Sequence, residues 1–497
     1  MKKFKFPNPF TVLFVIIIIS AIATWLVPAG SYNTLAYDES APSFIVEAPD
    51  GNVSLPATQA TLDSLQLNME LSKFEEGKIR KPVSIPGTYS EEGASPQGFM
   101  EIIYAPIRGI YDSMDIILFV LIIGGFIGVF TLSGAFDQGI AFLAMRLKGN
   151  EKWLIIILMT LLSIGGTAFG MQEETIAFYP ILVPIFLAAG YDLLVPVAAI
   201  FCSTSVGIMG GILNPFGTII ASDAAGVSWT LGIESRLAMF IIGTIICIVY
   251  VVRYAEKVKN DPAKSLLHGL DIKNPFSSVK VDGEPVKLKI KTKVLLTLFA
   301  LTFAVMIYGV SALGWWFEEM TALFLIAALL MGFLQRVGDS VFVDAFIQGA
   351  RDLLGVAFII GFARGITIVM NDGRISGSTL NAASDAVSGT SGLVFLPVLM
   401  AVFFVLALFI SSSSGMALVT MPIMGALANV VGVPSEEIVN AYLFGFGLMT
   451  FITPSGLILP SLSMVNVNYG TWLKFMWPLM CILGVVGIII LSIGYLI

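Results

Sequence analysis

The chain has 497 residues, of which 57% are hydrophobic and 12% are Asp, Glu, Lys or Arg, and its net charge is −7. Soluble domains carry about 25% charged residues, so a water-soluble globule is excluded, and roughly 280 apolar positions suffice for about ten bilayer-spanning helices. The apolar runs are continuous rather than alternating, which excludes a membrane β-barrel.

The same composition removes whole chemistries. A single histidine, His268, stands in a charged segment, so histidine triads, histidine metal sites and intramembrane histidine relays are unavailable. Cys202, Cys247 and Cys481 lie in apolar runs without C-x-x-C spacing and read as small core residues. No P-loop spacing occurs, which argues against a self-contained ATP-driven pump, and nothing points to nucleic acid.

The first element is an apolar run from about Thr11 to Val27 behind Lys2, Lys3 and Lys5. No soluble mature domain follows, so it reads as a span rather than a signal peptide, with the N-terminus in the cytoplasm. An acidic polar segment follows outside. A span from Asp115 to about Leu132 returns to Arg146, Lys148 and Lys152, and a later one from about Leu237 ends in Arg253, Lys257, Lys259 and Lys264. Both basic loops belong inside, so the chain between them crosses an even number of times. That interval holds apolar stretches near 153–164, 176–189 and 194–213. The first looks too short to span and runs into GGTAFGMQEE, which predicts a re-entrant hairpin entering from the cytoplasm, since polar non-helical backbone at membrane depth needs a protein or cavity lining. The next crossing is interrupted at Asn214-Pro215-Phe216-Gly217-Thr218.

The second half repeats this order about 240 residues later. Asp115, Gly124 and Gly128 match Asp352, Gly361 and Gly365; the first tip matches Ser411-Ser412-Ser413-Ser414-Gly415; Tyr179-Pro180-Ile181 matches Met421-Pro422-Ile423; and the first break matches Thr453-Pro454-Ser455-Gly456. Counting spans sends the Asp352 run outward and the Asp115 run inward, so the repeats are inverted. The predicted fold class is an all-α polytopic membrane protein with two inverted-topology repeats, each holding a re-entrant helical hairpin and a broken transmembrane helix. The plan is a first span (1–28), an extracytoplasmic polar segment (29–113), a first repeat (114–253, tip 163–175, break 214–218), a basic cytoplasmic linker (254–292), scaffold spans (293–335) and a second repeat (336–497, tip 411–415, break 453–456). Paired, interrupted segments of this kind point to a secondary transporter with its site at the midplane.

Broken helices expose unpaired N–H and C=O groups and half of a macrodipole, which suits carboxylates at N-termini and Na+ at unwound carbonyls. Thr167, Gln172, Asn214 and Thr218, with Ser412, Ser413, Ser414, Thr453 and Ser455, are the candidate substrate-binding hydroxyls and amides. Gly165, Asn214, Ser411 and Thr453 mark candidate surroundings for Na+. A back-bond to its own helix or a packing contact is the bland use of each hydroxyl. Glu173 and Glu174 are the informative pair, because carboxylates inside a membrane are costly and functional by default. They could bind a substrate cation, bind Na+, carry a proton, or sit solvated at the cytoplasmic mouth. On a helix at most one of them faces the substrate. Arg364, among apolar neighbours, pairs with a buried carboxylate, holds a substrate carboxylate or ties backbone carbonyls. Asp115 and Asp352 read as N-caps, and Trp315, Trp316, Trp472 and Trp477 as an aromatic belt.

The opening FTVL through WLVPAG, the hairpin GGTAFGMQEETIAFYPILVPI at 165–185 and SSSSGMALVTMPIM at 411–424 resemble the YfcC-type branch of the anaerobic C4-dicarboxylate carrier (DcuC) family, over nearly the whole chain outside residues 30–95. That resemblance implies the ion-transporter superfamily fold with elevator motion between scaffold and transport domains, and a homodimer in the cytoplasmic (inner) membrane of a prokaryote. It also implies a small-molecule substrate, either a basic amino acid in arginine/ornithine-type exchange or a C4-dicarboxylate. The Ser-Asn-Thr tip motif of the superfamily's sodium-coupled dicarboxylate branch is absent, so Na+ and H+ both remain as the coupling ion, and no other cofactor is expected. The glutamate pair would repel a dicarboxylate unless protonated or paired, which leans toward an amino acid. A passive channel is the competing class, distinguished by currents far above carrier turnover; a membrane enzyme is disfavoured by the missing histidine chemistry.

Overall fold

The computed structural model describes residues 9–38, 41–49, 51–67, 69–75, 79, 82–135, 138–139, 142, 150–270, 272, 288–313, 315–387, 392–431 and 433–496. Lys2, Lys3, Lys5, Arg146, Lys148 and linker residues 273–287, which carry much of the predicted orientation, lie outside the described residues. Among those described, seven helices are long and apolar enough to cross a membrane: Pro9–Leu26, Met114–Thr131, Ile233–Asn260, Ile290–Gly309, Phe317–Gln335, Asp339–Asp372 and Tyr469–Leu496.

Between these lie two sets of shorter pieces in one order. The first hairpin is Lys152–Phe169 followed by a turn of 3-10 helix, Glu173–Phe178, and helix Tyr179–Ala188. The first broken helix is Leu194–Met209, a wide turn at Pro215–Ile219 and helix Ile220–Ala225. The second hairpin is Gly392–Phe409 with Ser413–Val431, and the second broken helix is Ser435–Thr450 with Ile458–Met464.

The first hairpin helix is longer than its apolar stretch suggested, because Gly165-Gly166-Thr167 continues the helix instead of ending it. These small residues serve packing. A Cβ on Gly207 would stand 2.4 Å from the Ser163 carbonyl oxygen, and one on Gly166 would stand 2.7 Å from that of Thr204, so the hairpin helix lies directly against the first broken helix. The tip therefore narrows to Gly170–Gln172, where Gly170 takes φ +73° and ends the helix as a left-handed cap.

Glycines also set the contact between helix Asp339–Asp372 and the kinked pair Phe99–Asp112 and Met114–Thr131. A Cβ on Gly124 would meet the Gly349 carbonyl at 2.4 Å, one on Gly128 the Ala345 carbonyl at 2.3 Å, and one on Gly109 the Gly361 carbonyl at 2.1 Å. As one chain number rises the other falls, so the two elements run antiparallel. Two expectations change here. Asp352 is no N-cap: it lies inside a continuous helix and accepts a hydrogen bond from Gln348 at 2.9 Å, because the polar stretch before it is helical as well. Phe99–Asp112, expected in the polar segment, is a helix packed on Asp339–Asp372, its apolar side supplying the close face. Asp115 stands in the first turn of its helix and accepts from the Ile116 N–H at 2.9 Å, with Ser113 at the cap position.

Packing divides the helices into two groups. Pro9–Leu26, Phe99–Thr131, Ile290–Leu313, Phe317–Gln335 and Asp339–Asp372 form one, cemented by Phe119, Phe126, Phe130, Phe299, Phe303 and Phe324. The two hairpins and broken helices, with Ile233–Asn260 and Tyr469–Leu496, form the other, and helix Ile375–Val387 packs on members of both. Cys202 and Cys247 are buried in the second group, whereas Cys481 is exposed on the surface of Tyr469–Leu496.

Residues 30–91 carry an antiparallel four-stranded sheet, ordered β4 (Val53–Pro56), β3 (Ser43–Glu47), β2 (Thr34–Asp38), β5 (Val83–Ser84), and a two-stranded ribbon of β1 (Gly30–Ser31) with β6 (Ser90–Glu91). Leu35, Phe44, Leu62, Phe74 and Val83 form the core of this sheet domain.

Candidate substrate site at two interrupted hairpins

Each hairpin tip lies against the break of the following helix in its own set. In the first set the Thr167 hydroxyl donates to the Gly210 carbonyl at 3.3 Å and accepts from the Ile212 N–H at 2.9 Å, while the Thr167 carbonyl accepts from Leu213 N–H at 3.0 Å. Gly170 sits so close to Asn214 that a Cβ there would be 2.7 Å from its Oδ1. Asn214 Oδ1 accepts from the Phe216 and Gly217 N–H groups at 3.0 and 3.1 Å, which caps the wide turn. Thr218 donates to the Gly211 carbonyl at 2.7 Å. The break is thus closed by its own side chains, satisfying backbone groups that would otherwise be orphaned inside the fold. A hydroxyl whose hydrogen is committed to a carbonyl still offers lone pairs, so these groups present acceptors.

In the second set the Ser412 Oγ accepts from the Gly415 N–H at 3.2 Å and so caps helix Ser413–Val431. Ser413 contributes its carbonyl, which accepts from the Tyr442 hydroxyl at 2.7 Å, and Ser414 stands in the first turn of the same helix. Ser455 donates to the Leu408 carbonyl at 2.8 Å, with the Thr453 hydroxyl 2.8 Å from Ser455 Oγ. Thr367, from the long helix Asp339–Asp372, donates to the Phe409 carbonyl at 3.0 Å.

The two sets meet where the broken helices cross. A Cβ on Gly447 would lie 2.5 Å from the Met209 Cα, and Leu443 approaches the positions of Gly211 and Gly217. Helix Ser413–Val431 packs on the wide turn and on Ile220–Ala225. Thr167, Asn214 and Thr218 are buried, as are Thr453 and Ser455.

The glutamates separate as adjacent positions must. Glu174 is buried at 8% exposure and its Oε2 accepts from the Gln172 N–H at 3.1 Å; Glu173 is half-buried, as is Gln172. On a 3-10 turn neighbouring side chains diverge by ~120°. The turn leans on Met114–Thr131, and Phe178 at its end meets Phe303 at 5.2 Å between ring centroids.

Arg364 makes its ion pair outside the hairpins. Its guanidinium pairs with Asp112, a partner that the sequence did not suggest, and both side chains are partly exposed. It lies one helical turn before Thr367. Among the described residues no three His, Cys, Asp or Glu side chains converge on a metal-sized site.

Sequence reasoning also missed the donors that hold the second break. Trp472 Nε1 donates to the Phe451 carbonyl at 2.8 Å and the Tyr469 hydroxyl to that of Ile452. Trp472 is fully buried, so it does not belong to an aromatic belt as expected; an interrupted helix leaves carbonyls that need a donor, and the indole supplies one. Trp477, at 65% exposure, stays on the outer surface. A tryptophan placed shortly after a Thr-Pro-Ser-Gly break was the available signal.

The profile of the C4-dicarboxylate anaerobic carriers, DcuC, matches residues 6–496. The chain belongs to the DcuC family. It is accordingly a multi-pass membrane transporter and not an enzyme. A Haemophilus influenzae protein described as uncharacterized is 38% identical over 493 residues, covering 99% of this chain and 97% of its own. An Escherichia coli K12 relative described as a putative basic amino acid antiporter, YfcC, is 28% identical over 494 residues, covering 95% and 93%. Among solved structures, the YdaH transporter of Alcanivorax borkumensis superposes with TM-score 0.40 at 14% identity, covering 98% of each chain. MtrF of Neisseria gonorrhoeae, from a class of antimetabolite efflux pumps, does so at 0.40 and 16%, covering 99% of this chain and 96% of its own.

Proposed function

We propose that this DcuC-family member is a secondary active transporter for a small amino acid, with basic amino acids and exchange as the favoured class and mode. The observation that carries the reading is Glu174: a carboxylate buried just beyond a hairpin tip whose Gly170 abuts Asn214 of the first break. Such a site complements an ammonium or guanidinium and repels a second carboxylate. The description of the E. coli relative as a putative basic amino acid antiporter agrees with it. In this reading the hairpins and broken helices move as one unit against the Phe-cemented helices, in elevator fashion, and the two sets are inverted repeats. The antiparallel approach of Gly124 to Gly349 and of Gly109 to Gly361 supports the inversion. The protein would act as a homodimer in a prokaryotic inner membrane with its N-terminus in the cytoplasm and the sheet domain outside.

Counterflow into proteoliposomes loaded with arginine, ornithine, a neutral amino acid or succinate, with and without Na+, tests the substrate class. Arginine or ornithine exchange is the expected outcome, and exchange of succinate alone sinks the proposal. A small-carboxylate carrier coupled to H+ or Na+ is the second reading. It is favoured by the Ser412-capped N-terminus of helix Ser413–Val431, whose free N–H groups and dipole suit a carboxylate, and by the family's own description.

A further inference from the structure

The sheet domain touches both helix groups, and unequally. On the side of the Phe-cemented group its bonds are many. Gly30 N–H donates to the Arg374 carbonyl at 2.9 Å, Ser95 to the Asp372 carbonyl at 2.8 Å, and Gln97 N–H to the Thr24 hydroxyl at 2.8 Å. Trp25 Nε1 donates to the Gln97 carbonyl at 3.0 Å, and Glu92 pairs with Arg374. On the side of the hairpin group, β5 packs on helix Ser413–Val431, and Lys73 Nζ forms an ion pair with Asp223 at 3.4 Å. Asp223 lies on Ile220–Ala225, the trailing half of the first broken helix, which itself packs on Ser413–Val431. The Lys73 and Asp223 side chains are 21% and 19% exposed, so the pair is partly withdrawn from water and less screened than a surface pair.

We propose that the sheet domain is a clamp mounted on the static helix group, and that the Lys73–Asp223 ion pair is its latch on the moving one. The inference rests on the moving-unit reading above. A unit that slides along the static group carries Asp223 and Ser413–Val431 away from a domain held to Thr24, Asp372 and Arg374 by the bonds above, and through Tyr32 and Tyr89 to helix Ile375–Val387, which packs on both groups. The latch therefore favours the arrangement in which the hairpin unit abuts the sheet domain, and each transport cycle breaks and remakes it. A contact present in only one of two states shifts their ratio by its own free energy.

Pulsed electron–electron distance measurements on the full-length protein in lipid test this, with spin labels on Ser64→Cys in the sheet domain and Thr230→Cys beyond Ile220–Ala225, in a Cys481→Ser background. The expected result is a dominant short-distance population. K73M raises the long-distance fraction about fivefold, and the exchanged pair K73D/D223K returns it toward the original. Samples with arginine, ornithine or succinate added separate the two readings. If a substrate produces a second population in the parent protein and K73M leaves the ratio unchanged, the latch is overturned and the moving unit stands. If no sample shows a second population, the moving unit fails and the latch with it.

Discussion

The two interrupted hairpins share a plan and differ in how they solve it. In the first, the break is closed from within: Asn214 caps the wide turn, and Thr218 and Thr167 satisfy the Gly211 and Gly210 carbonyls. In the second, closure comes largely from elsewhere, with Trp472 and Tyr469 of the last helix donating to Phe451 and Ile452 and Thr367 of the long helix donating to Phe409. The first tip carries the buried carboxylate; the second carries a serine-capped helix N-terminus. Two sets of elements in the same order thus end in tips of opposite electrostatic character, one holding a buried carboxylate and one a capped helix N-terminus.

The largest test of that contrast is at the first tip. Glu174→Gln removes the buried charge and is expected to lower basic amino acid exchange at least about tenfold, the effect of losing one charge-assisted contact. Glu173→Gln, half-buried, should cost less than about threefold. Equal losses in paired counterflow assays would erase the distinction between them. Next in size, Trp472→Phe removes the indole N–H together with part of a fully buried ring system, orphaning the Phe451 carbonyl for about 1–3 kcal/mol of stability and adding the cost of a cavity; thermal unfolding in detergent should show the midpoint fall, and an unchanged midpoint would mean that the carbonyl finds another donor and that neighbouring side chains fill the space. Asn214→Ala deletes a cap that accepts two N–H groups for about 1 kcal/mol, and Ser412→Ala, whose capping bond from the Gly415 N–H is 3.2 Å long, should cost less. The reverse order would show that the second tip is the more tightly held. The smallest effect is expected at the partly exposed Arg364–Asp112 pair: Arg364→Met and Asp112→Asn should each change stability by under about 1 kcal/mol and leave exchange intact, and a loss of exchange would bring Arg364 into the site.

Much of this was legible in the chain itself. Asn214-Pro215 and Thr453-Pro454 announced the breaks, because proline withholds a donor wherever it falls. Gly124, Gly128, Gly361 and Gly365 stood out as matched positions, but nothing in their spacing announced that they lie in close helix contacts. The glutamates announced a special tip by their cost in an apolar run, but their adjacency left open which was buried. The helical Gly165-Gly166 was misread because a glycine that ends a helix and one that admits a neighbouring backbone look alike in sequence. Trp472 was misread because a tryptophan at a span end serves the bilayer interface or a buried carbonyl equally well.

By itself the sequence determined the solvent, the repeated order of elements and the positions of the interruptions. These follow from local quantities: the apolar content of a run, the missing N–H of proline, the cost of a carboxylate in lipid. Only the tertiary structure decided which orphaned backbone group is met by which distant donor, that Arg364 goes to Asp112, and that Lys73 of the sheet domain reaches Asp223. The two ion pairs join residues roughly 150 to 250 positions apart, and no local rule fixes a partner at that separation; the packing of whole helices does.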